Sequence, residues 1–224
     1  MHIMEKYIDK DFDFTLSKEE LLKAIRIPDD PMDEDFIEVM AMLKEALGCA
    51  RPKFAYCISA VEHKGEDYVV VEGRRIDSVL VRKNLEKVHR IIPYVATCGM
   101  EAELWSNKYT ELLEQFWADE IKKLILYKAY EVMKGTVKER FFPAQDLSHM
   151  SPGSLPAWSI TGQTALFDLI GNVKEELGVA LTDSFLMLPS KSISGFFFSG
   201  ETHYENCRLC PMPNCPNRRA KYMP

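Results

Sequence analysis

Three cysteines fall within nine positions near the end of the chain, in the run CRLCPMPNC: Cys207, Cys210 and Cys215. A C-x2-C spacing lets two thiolates converge on one metal through a tight turn, and a third thiolate after a four-residue gap can reach back. Pro211 and Pro216 follow the second and third cysteines, stiffening the turn and removing backbone donors. Three close thiolates and one distant ligand suit a [4Fe–4S] cluster. Zinc is equally satisfied by three thiolates and a histidine, and His203 stands four residues before Cys207. A redox thiol pair with no metal is the third reading. Arg208, Arg218 and Arg219 would offset the thiolate charge.

Two further stretches have the character of a ligand site. SPGS, residues 151–154, is a Pro-Gly loop in which Pro152, Gly153 and Ser154 let the backbone come close to a ligand, because glycine has no Cβ. SISGFFFSG, residues 192–200, places Ser194 and Gly195 before three phenylalanines. Alternation along a strand assigns Ile193 and the phenylalanines Phe196, Phe197 and Phe198 to a core, with the Ser194–Gly195 backbone lining a groove.

Composition narrows the function classes. The chain has 224 residues, a formal net charge of −6 and 28% charged residues. That balance argues against a nucleic-acid binder, which needs a basic face. No window is long and apolar enough for a membrane span, and the first residues hold no apolar leader, so a cytoplasmic location is expected. Six cysteines are too few for a disulfide scaffold. Cys49, Cys57 and Cys98 sit in apolar surroundings and are expected to be small core residues. P-loop, G-x-S-x-G and G-x-G-x-x-G patterns are absent, which argues against a kinase, hydrolase or dehydrogenase.

The elements that must position these residues are partly legible. Ser17 followed by Glu20 marks the start of one helix, and Asp33 or Asp35 the start of a second that Gly48 should stop. KFAYCISAVEH and EDYVVVEGRRI read as strands, as does SVLVRKNL. VHRIIPYVATCG reads as a strand that Pro93 pushes to an edge or a bulge. A long helical block runs from about Met100 to Phe141, broken near Asn107. FFPAQDLSHMSPGSLPAW reads as loop, TGQTALFDLIGNVKEELG as a helix capped by Ser159 or Thr161, and LTDSFLMLPSKSISGFFFSG as two strands around a Pro-Ser turn. The sum is an α+β chain with a bent, mostly antiparallel β-sheet flanked by helices. Its expected parts are an N-terminal α/β segment over 1–90, a core over 91–204 and a cysteine-rich tail over 205–224.

VATCGMEAE (95–103), SPGSLPAWSITGQTALFDLIG (151–171) and LTDSFLMLPSKSISGFFFSGETHY (181–204) occur in that order and spacing. Together they resemble the reductive-activation domain of vitamin B12 (cobalamin)-dependent methionine synthase and its stand-alone bacterial relatives. The resemblance implies an accessory protein that docks on the corrinoid-binding protein or domain of a methyltransferase. There it would bind S-adenosylmethionine while an electron donor such as flavodoxin or ferredoxin restores cob(I). The corrinoid comes from the partner. Carried over residue by residue, the family's Pro-Gly loop falls on Pro152 and Gly153, its arginine on His149 and its following tyrosine on Ser154. Tyr204 matches a later tyrosine that contacts the cosubstrate, and Glu131 an acidic residue facing its amino group. The cysteine tail is not part of that family pattern. The alternative is a metal-stabilised module that binds a corrinoid protein without reductive chemistry.

Overall fold

In the computed structural model, residues 5–200, 203–215, 218 and 220–223 are described; Arg219 lies outside them. The chain begins with strand β1 (Lys6–Asp9) and two helices, α1 (Lys18–Ile25) and α2 (Glu34–Cys49). Both helices start at the side chains the sequence marks. Ser17 Oγ accepts from the Glu20 amide at 3.3 Å, and Asp33 Oδ1 from the Phe36 amide at 2.9 Å. Gly48 does not stop α2, which runs one residue past it.

Next come β2 (Lys53–Cys57), β3 (Ser59–Lys64), the hairpin β4 (Tyr68–Val71) and β5 (Arg74–Asp77), helix α3 (Val79–Asn84) and strand β6 (Arg90–Thr97). Two expectations are corrected here. SVLVRKNL is a helix, because Ser78 Oγ accepts from the Val81 amide at 3.1 Å and caps a turn that the β-branched residues alone do not predict. The strand carrying Pro93 lies at the centre of the sheet. It pairs with β10 along one side and with β2 and β3 on the other. Pro93 is tolerated there because it faces the break between β2, which ends at Cys57, and β3, which begins at Ser59.

Helices α4 (Met100–Ser106) and α5 (Leu112–Phe141) follow. Along α5, Trp117, Ile121, Ile125, Ala129, Met133 and Val137 recur every fourth residue and are all buried, forming one ridge against the sheet. The region read as loop holds a short strand, β7 (Ser148–Met150). After a 3-10 turn at Ile160–Gly162, the expected single helix is two, α6 (Gln163–Ile170) and α7 (Val173–Leu177), separated at Gly171 and Asn172, both at positive φ. The β8 (Ala180–Leu181) and β9 (Met187–Leu188) hairpin leads into β10 (Ser192–Phe198).

The main sheet is antiparallel throughout, in the order β1-β2-β6 with β10 and then β7 beyond β6, and β3-β4-β5 continuing from the other end of β6. β2 and β3, from the first ninety residues, thus pair directly with β6. The sheet has two cores. Helices α1, α2, α4 and α5 cover one face, where Tyr56, Ile92, Tyr94 and Phe197 point. Helices α6 and α7 cover the other, where Val95, Met150, Phe196 and Phe198 point. The three phenylalanines of β10 are buried, as the alternation predicts, and each contributes about 1.5–3 kcal/mol.

Candidate functional site

Strand β7 brings the two ligand-like stretches together. It pairs with β10 in the register Phe196↔Met150, Phe197↔His149 and Phe198↔Ser148. Its other side carries no strand among the described residues, so it is an edge. His149 therefore belongs to a strand, half-buried, and its ring lies 6.0 Å from the Tyr130 ring on α5 in an edge-on arrangement. Tyr94 stacks on Phe197 at 4.4 Å, and Tyr130 lies 5.8 Å from both. Four rings thus pack between the edge strand and the long helix, with Tyr94, Tyr130 and Phe197 buried and His149 half-buried at the rim.

Gly195 sits at the end of this aromatic group. A Cβ there would lie 2.5 Å from the Met150 carbonyl oxygen and 2.7 Å from both Ser151 Oγ and Tyr94 Oη. Only a glycine allows the three oxygens to approach β10 so closely. Tyr94 Oη and Ser151 Oγ are themselves 3.4 Å apart. The chain then turns through Pro152, Gly153 and Ser154. Gly153 has φ of +76°, and its amide donates to the Trp158 carbonyl at 2.8 Å, closing the loop.

The remaining candidates are divided between the faces. Ser194 points to the α6 side, where its hydroxyl donates to Gln163 Oε1 at 2.9 Å, both side chains being buried. Tyr204 is on that side too, packed by Phe198 at 6.3 Å between ring centres. Its amide donates to Ser148 Oγ at 2.9 Å and its hydroxyl to Asn206 Oδ1 at 2.5 Å. Burial raises the Tyr204 phenol well above its ordinary range. Glu131, next to Tyr130 on α5, is largely exposed and pairs with Lys128 at 3.6 Å. The structure therefore gathers His149, Ser151 and Gly195 with Tyr94 and Tyr130, and keeps Ser194 and Tyr204 behind the sheet. Sequence reading missed the two tyrosines. The available signal was the position of Tyr94 opposite Gly195 once the strands are paired. Cavities of about 290 Å³ beside β5 and α6, and about 520 Å³ beside α6 and β8, lie away from this groove.

The turn entering β10 is held by a buried ion pair. Lys122 Nζ of α5 donates to Glu103 Oε2 of α4 at 3.0 Å, and Ser190 donates to the same oxygen through its amide and hydroxyl, at 3.3 and 2.9 Å. Behind it Cys98 is buried, and its thiol is pushed up to about 12 by desolvation. Cys57 is buried as well and pushed up to about 11, while Cys49 is half-buried.

The tail leaves from Tyr204 and wraps around one arginine. Arg218 donates to the carbonyls of Cys207 at 2.9 Å, Cys210 at 3.0 Å, Ala220 at 3.2 Å and Met212. The Met223 amide closes back on the Arg208 carbonyl at 2.7 Å. Cys207, Cys210 and Cys215 are half-buried. Among the described residues no three His, Cys, Asp or Glu side chains are gathered into a metal-ligand group, so these cysteines and His203 do not converge on one point.

Comparisons with known proteins place these features in a class. Residues 149–208 match the family described as "Vitamin B12 dependent methionine synthase, activation domain". The match begins at His149 and takes in the Pro-Gly loop and β10, and it ends before Cys210 and Cys215. Thus residues 149–208 are similar to that family, which bears out the resemblance and covers most of the two later motifs. Among solved structures it is similar to the MetH reactivation domain bound to AdoHcy, with a TM-score of 0.64 and 15% identity over 91% of this chain and 81% of that one. At that identity the likeness establishes the fold, and the expected α+β sheet with flanking helices is the one found. No curated protein sequence matches the chain. No described helix is long and apolar enough to cross a membrane.

Proposed function

We propose that this chain is the reductive-activation unit of a corrinoid-dependent methyltransferase, and that the groove between β7 and α5 takes S-adenosylmethionine. The observation carrying this reading is the coincidence of the family segment, which starts at His149, with the strand and loop that line the groove. The likeness to a domain whose crystal structure holds AdoHcy supports the ligand class.

In this reading the partner supplies the corrinoid and an electron donor such as flavodoxin or ferredoxin supplies one electron to cob(II). The corrinoid, once reduced, would supply the methyl-accepting chemistry, with S-adenosylmethionine as the methyl donor. The chain's residues bind and orient. His149, Ser151 and the Pro152–Ser154 loop are the accessible groups that would meet the ligand, backed by the buried rings of Tyr94, Tyr130 and Phe197. His149 stands where the family has an arginine. A histidine meets a carboxylate at one point, so binding should be weaker than through a bidentate arginine. The cysteines do not take part in this step.

Isothermal titration of the chain with S-adenosylmethionine tests the reading, alongside capture of a purified corrinoid protein. Binding that is lost in Gly195→Val and weakened in His149→Ala is expected. Corrinoid-protein capture with no S-adenosylmethionine binding would instead favour a docking module without reductive chemistry.

A further inference from the structure

The cavity of about 290 Å³ between β5 and the start of α6 has no part in the proposed reaction. β5 ends the sheet, and its outer side carries no strand among the described residues. Just after β5, Ser78 Oγ donates to the Ala157 carbonyl at 2.8 Å and ties the loop before α6 to the strand. Ile76, Ala165 and the Trp158 ring give the cavity apolar walls, with Ile76 and Trp158 buried. Pockets for drug-sized ligands run from about 300 to 1,000 Å³, so this one suits a smaller molecule.

Its polar groups are only partly used. Arg74 of β5 and Asp168 of α6 both line it, with Nε and Oδ2 3.8 Å apart and both side chains more than half exposed. Arg75 is committed elsewhere: its Nε donates to Asp77 at 2.7 Å, and its guanidinium lies 3.5 Å from the Tyr68 ring centre. Ser159 Oγ accepts from the Thr161 amide and hydroxyl, at 3.3 and 3.0 Å, which leaves its own proton for another acceptor. The Thr164 hydroxyl has no protein partner among the described residues. The Trp158 indole N–H is buried without a partner, although buried indoles usually find one. Gly162 stands beside that donor, and a Cβ there would lie 2.4 Å from Nε1. Glycine thus leaves room at the wall for an acceptor that the chain does not supply.

We propose that this cavity binds the zwitterionic head of a small α-amino acid. The carboxylate takes the Arg74 guanidinium and the hydroxyls of Ser159 and Thr164, at the end of α6 where the helix dipole favours negative charge. The ammonium takes Asp168, and an uncharged side chain lies on Ile76 and Ala165. Arg74 and Asp168 lose little by parting, because an exposed pair is worth little. A plain anion such as phosphate fits the donors but meets Asp168 and Asp77 in the same cavity, and like charges oppose it. S-adenosylmethionine carries the same charged head, so this chemistry has two sources. The proposal does not rest on the groove between β7 and α5.

Isothermal titration and tryptophan fluorescence of the full chain test the site, with alanine, leucine, methionine and phenylalanine as probes. Each is compared with its N-acetyl and amide forms, which lack one charge of the head, and with inorganic phosphate. Binding of a free amino acid at one per chain is expected. Both blocked forms, and the variants Arg74→Met and Asp168→Asn, should be weaker by about tenfold or more. Both variants are at exposed positions and should keep the parent's urea midpoint, so that lost binding is not lost folding. No binding by any of the four, equal binding of the blocked forms, or phosphate binding in their place overturns the zwitterion site. Unchanged affinity in both variants overturns its placement in this cavity. S-adenosylmethionine then separates the two sources in protein that binds a free amino acid. Weakening by Arg74→Met puts its head in the same cavity, in support of the head chemistry. Weakening by His149→Ala alone assigns the cavity to free amino acids.

Discussion

Tyr94 stands directly across from Gly195 in the β6–β10 ladder, and its hydroxyl lies 2.7 Å from where a Cβ on that glycine would be. The Met150 carbonyl is closer still, at 2.5 Å. Gly195→Ala should therefore cost about 1–3 kcal/mol, as overpacked interiors do. Tyr94→Phe should not restore the loss, because the backbone carbonyl remains. Urea unfolding of the single and double variants checks both statements.

Lys122 and Glu103 are buried together, with side-chain exposures of 7% and 15%. Removing one partner leaves a charge with its hydrogen bonds broken in a dry site. Lys122→Met should lose about 3–5 kcal/mol. Replacing both, as Lys122→Met with Glu103→Leu, should recover much of that loss. A double variant no better than Lys122→Met would mean that the Ser190 contacts to Glu103 carry the effect.

Burial raises the thiols of Cys57 and Cys98 above their unfolded value of 9.0, to about 11 and about 12. In the unfolded chain they lose protons from about pH 9, and in the folded chain only at about 11 to 12. The folded state thus binds more protons in that window, and stability falls as pH rises through it. Below pH 9 the two thiols should add no slope. Cys98→Ala should flatten the alkaline decline, measured as unfolding free energy against pH. At neutral pH a thiol reagent should reach the half-buried tail cysteines first, and Cys57 and Cys98 only on unfolding.

Arg218 holds four carbonyls with one guanidinium. Arg218→Ala should free the tail, raising the rate of limited proteolysis after Tyr204 severalfold. The midpoint of global unfolding should stay within about 0.5 kcal/mol of the parent, as for surface changes away from a core. Lysine at 218 should not substitute, since one ammonium cannot span the same set of acceptors.

Much of the fold was legible because local chemistry and burial agree. Ser17, Asp33 and the alternation through Phe196–Phe198 all report what they later do. Pro93 misled because a proline's missing donor is judged against an assumed neighbour, and the break between β2 and β3 is visible only after pairing. Strand β7 is three residues long and was hidden among prolines and serines, so His149 read as a loop residue. Tyr94 and Tyr130 escaped because neither belongs to a spacing pattern; they meet only across the sheet and helix.

Strand β6 lies outside the 149–208 segment that carries the family pattern, yet it is the neighbour of β10 along six residue pairs. The recognisable part of the chain is therefore not a portable part. Excised or transplanted alone, it would keep the groove's loop and lose the partner that buries Phe197 and sets the approach of Tyr94 to Gly195. Inheritance of the site has to be inheritance of the whole sheet, including the early strands in which the family pattern is hardest to see.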